Sequence, residues 1–474
     1  MQKYNINFYE DDIPKYLQIT RYIKKLIDSN SVEDGEKLPS IRVLSNLLSV
    51  NNDTIINAYK RLQYEGYAVQ KIGSGTYAKK REVNKNFKKS YSDTFKKLSG
   101  EAIKDYMDFT GENACSDFFP VSTFKSVLNE VLDRDGAEAL AYQELLGYRG
   151  LRESINKYFW DETLDSDNIL IVSGAQQGID IASKALLNIN DNIIVEKPTY
   201  SGALSVFKGR RANIFEVDIK QDGIDIGQLK AILKKNKIKC FYLMSYFQNP
   251  TGCSYSLEKK QQILALAKEY DFYIIEDDYL SELIYDLNIE YKSFKAMDTQ
   301  DRVIYIKSFS KIFLPGIRIG YLICPERFKE QLQNSKIDTD ISTSSLMQRA
   351  LQLYIEKGFW KEYINYLNII YNERYNIMKK LLLDILGDKV EFINPGGGLN
   401  FYIKLSERVK IDCIRLFYEC RDNNVLITPG VLFYKNNKHG ERYFRLGFSK
   451  VGSAEINKGL NIINNILKAS DRLG

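Results

Sequence analysis

Apolar residues recur at helical spacing three times near the start of the chain. Tyr16, Ile19, Ile23, Leu26 and Ile27 form the first stripe. Beyond Gly35, "LPSIRVLSNLLSV" predicts a second helix, with Ser40 as its N-cap and Ile41, Leu44, Leu47 and Leu48 inward. "NNDTIINAYKRLQYEGY" predicts a third, capped by Asn51 or Asn52. It turns Ile55, Ala58, Tyr59 and Leu62 inward and ends at Gly66. "YAVQKIGSGTYAKK" then reads as strand, turn and strand. Two short helices across a tight turn, the second polar outside, followed by a hairpin, make the pattern of a winged helix-turn-helix. Residues 79–97 carry eight Lys/Arg and two acids with no clear apolar period, which predicts a mobile basic linker.

From about residue 105 the pattern changes. Short β-rich runs alternate with helical stretches: "NILIVSG" before "AQQGIDIASKALLN", "NIIVEKPTY" before "SGALSVFKG", then "CFYLMSY", "FYIIEDDY" and "RVIYIKSFS". Buried strands followed by helices predict an α/β domain with a mostly parallel sheet. Ligands of such sheets sit at the carboxyl ends of the strands. Polar residues collect there: Gly174 to Gly178 at a helix start, Tyr200, Asn249 in a tight "NPTG" turn, Asp277 and Tyr279, then Ser308, Ser310, Lys311 and Arg318. A helix N-terminus, two serines and an arginine suit a phosphate. A carboxylate suits a protonated ring nitrogen, Asn and Tyr a phenolate oxygen, and a lysine an imine. Pyridoxal 5′-phosphate has these requirements.

Charge sharpens the division. Residues 1–100 hold 18 Lys/Arg against 11 Asp/Glu, and the remainder 49 against 50. A polyanion-binding head on a near-neutral body follows. The chain has six cysteines without a C-x-x-C pair and one histidine, His439. That argues against a histidine-based zinc site, a Ser-His-Asp triad or a Cys-His dyad, and no metal site is expected. No apolar run approaches bilayer length, and "MQKYNINFYEDD" is too polar for a signal peptide. A cytoplasmic location without membrane contact is expected.

The order "LPSIRVLSNLL", "TIINAYKRLQYEGY", "GSGTY" resembles the GntR-type winged helix-turn-helix. The set "YRGLRE", "SGAQQG", "NPTG", "EDDY", "SFSK…R" and "FRLGFS" resembles a fold-type I, class I aminotransferase. Together they resemble the MocR/GabR family of regulators. The resemblance implies a head over residues 10–79, a linker over 80–104 and a pyridoxal-phosphate domain over 105–474, with a smaller C-terminal α+β subdomain. It implies that Arg42, Asn52, Thr54, Asn57, Lys60, Gly75 and Thr76 meet double-stranded operator DNA. The family often has Ser-Arg where this chain has Asn51-Asn52; asparagine can pair with adenine.

By the same resemblance Lys311 carries the imine, Asp277 pairs with the ring nitrogen, and Asn249 and Tyr279 with the ring oxygen. Ala175, Gln176, Ser308, Ser310 and Arg318 hold the phosphate, Tyr200 stacks on the ring, and Tyr142 reaches the phosphate of a partner subunit. Arg445 grips a carboxylate of the effector. The chain is then a regulator, a head-to-tail homodimer, sensing a small amino compound by aldimine exchange at Lys311. An active aminotransferase with a tethering head, or a cofactor-free dimerisation module, are the alternatives. Lys307 and Asp278 are expected to point away from the cofactor. GABA-sensing members use a further arginine after the stacking aromatic, and "YSGALSVFKG" has none, so other amino compounds are favoured.

Overall fold

The computed structural model describes all residues except 1, 7, 10–12, 29–30, 65, 72, 80–86, 99–102, 104, 142–143, 314, 341 and 472–474. Two compact units divide it, Met1–Phe95 and Lys96–Gly474.

In the first unit three helices, α1 (Lys15–Asp28), α2 (Ile41–Leu48) and α3 (Asn52–Tyr64), precede an antiparallel hairpin, β1 (Ala68–Lys71) and β2 (Gly75–Ala78). Ser40 caps α2, its side chain accepting from Val43 N. Ile19, Ile23, Leu44, Ile55, Ala58, Tyr59 and Leu62 are buried in one core, as the periodicity predicts. Leu47 departs from it: it is exposed, and Ser45 takes the buried position, donating to Asn52 Oδ1 at 2.8 Å. That bond ties the start of α3 to α2, where Thr54 N donates to Asn51 O at 3.0 Å. The hairpin also gains a third partner. Leu38 N donates to Thr76 O and Ala78 N to Glu36 O, so the segment before α2 pairs with β2.

The linker expectation needs correction between Phe87 and Lys97, which form a helix, α4. Phe87, Tyr91 and Phe95 stand four apart and their rings meet at 6.0 and 4.8 Å. Aromatic pairs at this spacing support a helix even in a highly charged stretch. Residues 80–86 of the expected linker lie outside the described residues.

The second unit begins with β3 (Met107–Asp108). Its main sheet uses β4 (Ile169–Val172), β5 (Asn192–Lys197), β6 (Asn213–Lys220), β7 (Gly223–Ile224), β8 (Cys240–Leu243), β9 (Tyr273–Asp278), β10 (Val303–Ser308) and β11 (Gly320–Ile323). Their order is β4-β11-β10-β9-β8-β5-β6-β7. The run from β10 through β6 is parallel. Only β11 and the short β7 run antiparallel to their neighbours. The central strands are buried end to end, which fits their unbroken apolar runs. A smaller antiparallel sheet follows, from β12 (Val390–Phe392), β13 (Asn400–Leu405), β15 (Thr428–Pro429) and β16 (Tyr443–Gly447), ordered β12-β13-β16-β15. Between them in sequence, β14 (Val425–Leu426) pairs in parallel with β3. No helix among the described residues is long and apolar enough to cross a membrane.

Candidate cofactor site and DNA-reading face

The parallel strands deliver their carboxyl ends to one edge of the sheet, and a cavity of about 230 Å³ opens there. Gly174, Ala175, Gln176, Tyr200, Asn249, Asp277, Tyr279, Ser308, Ser310, Lys311 and Arg318 all line it. Because β11 runs the other way, Arg318 reaches the same edge from just before that strand. Its guanidinium donates to Ser173 O, and its φ of 51° is left-handed, an uncommon state for a residue other than glycine. The helix Ala175–Leu186 starts at Gly174, whose φ is 97°, with no side chain capping its first turn. Its free N–H groups suit an anion.

Asp277, next to last in β9, accepts from Tyr242 through Oδ2 at 2.7 Å, while its Oδ1 is buried without a partner. Burial raises its carboxyl to about 6. Ser310 Oγ is also buried and unpartnered. Two orphaned polar atoms on one cavity wall fit a bound polar group, one facing a ring cation and one a phosphate. Burial lifts the Tyr200 hydroxyl to about 12, so this ring stays neutral at the cavity mouth. The Tyr279 hydroxyl donates to Phe247 O at 2.8 Å, which leaves its lone pairs, not its proton, for a ligand. Asn249 Oδ1 accepts from Arg445 at 2.7 Å.

The neighbours of these residues point elsewhere. Lys307 is buried against Asp278 and Glu282, at 3.0 and 2.9 Å. Asp278 also accepts from Ser281, Tyr291 and Tyr305. Neither Lys307 nor Asp278 lines the cavity. Tyr142 lies outside the described residues.

Arg445 on β16 is 1% exposed, bonded to the cavity-lining Asn249 and set 5.2 Å over the Phe433 ring. Sequence reasoning did not find its partner. Glu112 sits between Lys311 and Arg445, one carboxylate oxygen 3.0 Å from Lys311 Nζ and the other paired with the guanidinium. Burial alone would raise this carboxyl; Arg445 and Lys311 outweigh it and hold it far below the usual range. Tyr242 was also missed, although a hydroxyl inside the apolar run "CFYLMSY" signals a buried partner.

On the head, Arg42, Asn52, Asn57, Lys60 and Gly75 are exposed, and Thr54 and Thr76 half-buried. Asn52 Oδ1 is already engaged by Ser45, which leaves its amide N–H groups for other contacts.

Residues 105–463 match the family "Aminotransferase class I and II", and residues 15–78 match "Bacterial regulatory proteins, gntR family". An uncharacterized HTH-type transcriptional regulator, YisV of Bacillus subtilis, is 27% identical, covering 95% of each chain. Aromatic-amino-acid aminotransferase 1 of Thermococcus litoralis is 29% identical over 77% of this chain and 88% of its own. The solved structure of a multiple substrate aminotransferase from Thermococcus profundus superposes with a TM-score of 0.75 at 28% identity, covering 81% of this chain and 95% of that one. The cofactor of this family is pyridoxal 5′-phosphate, and the cavity's donor set fits it. The chain belongs to the class I and II aminotransferase family, and joins that pyridoxal-phosphate domain to the DNA-binding head of a gntR-family regulator.

Proposed function

We propose that this DNA-binding regulator senses a small amino compound by amine exchange at Lys311. One observation carries the reading: a reactive-type lysine, an anion cradle and a buried carboxylate with an orphaned oxygen converge on one cavity, in a chain headed by a DNA-reading fold. When bound, pyridoxal phosphate supplies the carbonyl carbon that lysine and effector compete for. The chain's residues do the rest. Ala175, Gln176, Ser308, Ser310 and Arg318 hold the phosphate, and Tyr200 covers the ring. Asp277 keeps the ring nitrogen protonated, Asn249 offers its amide N–H groups to the ring oxygen, and Tyr279 can donate to that oxygen only by turning its hydroxyl away from Phe247 O. Arg445 lies where an effector's second polar group arrives. A head-to-tail homodimer places two heads on spaced half-sites, with the head at 10–79, the linker at 80–104 and the sensing domain at 105–474.

The test is a DNA-binding titration of the cofactor-loaded chain with its own promoter region, with and without a panel of amines. An amine-dependent change in affinity that Lys311→Ala abolishes supports the reading. Sequence-independent binding, or amine responses unaffected by Lys311→Ala, refutes it. The complete cradle also favours a second reading, an aminotransferase whose head only tethers it. Sustained turnover of an amino acid with a 2-oxo acid, without any effect on DNA affinity, would establish that alternative.

A further inference from the structure

Glu112, which bridges Arg445 and the cavity-lining Lys311, is a charged residue that the cofactor does not account for. Its place is fixed from both sides. Met107 N donates to Asn424 O at 2.9 Å, just before β14, and Gly447 N on β16 to Phe109 O at 2.7 Å, pinning the strap before it to both. Ala114 N donates to Lys311 O at 2.7 Å, pinning the strap after it to the lysine loop. The approach is close enough that a Cβ on Gly447 would run into Gly111 O. Glu112 is therefore carried across the gap between Lys311 and Arg445.

The donors of Arg445 are nearly all taken. Its Nη1 serves Glu112 and Asn249 Oδ1, and its Nη2 serves Thr110 O at 3.3 Å and Thr428 Oγ1 at 3.4 Å. Only Nε is unpartnered, and it is buried. An incoming carboxylate finds no free fork to grip in the bidentate way that makes such pairs strong. It also meets the like charge of Glu112 at contact range, on a side chain only a quarter exposed, where Coulomb repulsion exceeds that in bulk water.

We propose that Glu112 sets the effector class by masking Arg445, selecting amines that carry a second ammonium group over amines that carry a carboxylate. This rests on the amine exchange proposed above. In that exchange the C=N bond to Lys311 breaks as the bond to the incoming nitrogen forms. Lys311 leaves as an ammonium, keeping the one proton its imine nitrogen carried and taking the two that the incoming ammonium gives up, while the third stays on the new imine nitrogen. Before that step Lys311 is held by the cofactor and Glu112 has lost one of its two cationic partners. On arrival, before Lys311 is released, a diamine's distal ammonium takes that place; an amino acid's carboxylate cannot.

The test titrates the cofactor-loaded full chain with 1,4-diaminobutane and with 4-aminobutanoate, two compounds of equal length that differ in the distal charge. Affinity is read from the visible absorption of the cofactor. The wild-type chain should bind the diamine roughly tenfold or more tightly than the amino acid. Glu112→Gln should shrink or reverse that ratio by at least about tenfold, mainly by unmasking Arg445 for 4-aminobutanoate. Glu112→Asp, which keeps the charge, should keep the wild-type preference. A wild-type preference for 4-aminobutanoate overturns the proposal. So does a ratio unmoved within about twofold by Glu112→Gln, or no response of that variant to either compound. Lys311→Ala separates the two levels: if it retains the wild-type absorption, the amine chemistry itself fails; if it loses it while the ratio stays fixed, only the role of Glu112 fails.

Discussion

Asp277→Asn should make the cofactor-free chain more stable while weakening its hold on the cofactor. Burial lifts the Asp277 carboxyl from its ordinary 3.8 to about 6. A raised acid binds its proton more readily in the folded chain. Its ionisation therefore weakens the fold, starting as pH rises through about 4 and reaching the full loss above about 6. At 1.36 kcal/mol per pKa unit, a shift of about two units amounts to ~3 kcal/mol at about pH 7.5, and roughly half of that at pH 5. The amide removes this penalty. It also weakens the bond from Tyr242 by about 1 kcal/mol, because a neutral acceptor replaces a charged one. The net expectation is a gain of about 2 kcal/mol near pH 7.5, falling to about 0.5 kcal/mol near pH 5. The chain's two tryptophans, Trp160 and Trp360, both lie in the second unit, so their fluorescence in a urea titration reads that unit alone. Cofactor affinity, followed by visible absorption, should fall tenfold or more, since an amide cannot balance a ring cation. A variant less stable than wild type at pH 7.5, or a gain equal at both pH values, would refute the reasoning.

Lys307→Met leaves Asp278 and Glu282 buried without their cation and should lower the urea stability of the second unit by about 3–5 kcal/mol. Lys311→Ala, at a half-buried position, should cost less than about 1 kcal/mol and instead abolish the cofactor's visible absorption. Lys60→Ala should weaken binding to any DNA sequence alike and flatten the slope of log affinity against log salt by about 0.9. Ser40→Ala removes the cap of α2 and should reduce amide-exchange protection in the head by about 1 kcal/mol.

What could be read from the sequence is what local order determines. Ala175, Asn249, Asp277, Ser308 and Lys311 each follow an apolar run, and the parallel sheet brings the ends of such runs together whatever the intervening loops do. Lys307 and Lys311 were separable because one lies inside the run and the other beyond it. Glu112 was not legible for the opposite reason. "TGENAC" has no period, and its site is set by bonds to Asn424, Gly447 and Lys311, all remote in sequence. The pairing of the segment before α2 with β2 is likewise non-local. Leu47 and α4 failed differently. In α2 the stripe was drawn one position too wide, since Ser45 completes the buried face once Asn52 accepts its proton. In α4 the period was present, but in aromatic residues diluted by lysines.

A regulator and a tethered enzyme share every residue of this cavity and differ in linkage. If an amine changes the affinity for operator DNA by some factor, the same operator must change the affinity for the amine by that factor, because both are legs of one thermodynamic cycle. A head that merely tethers gives a factor of one in both directions. Lys311 makes the amine leg visible through the cofactor's absorption, and the basic head makes the DNA leg measurable at low salt. Equal factors above about five, measured independently on the two legs, would require two global states that both ligands distinguish, which catalysis alone does not demand.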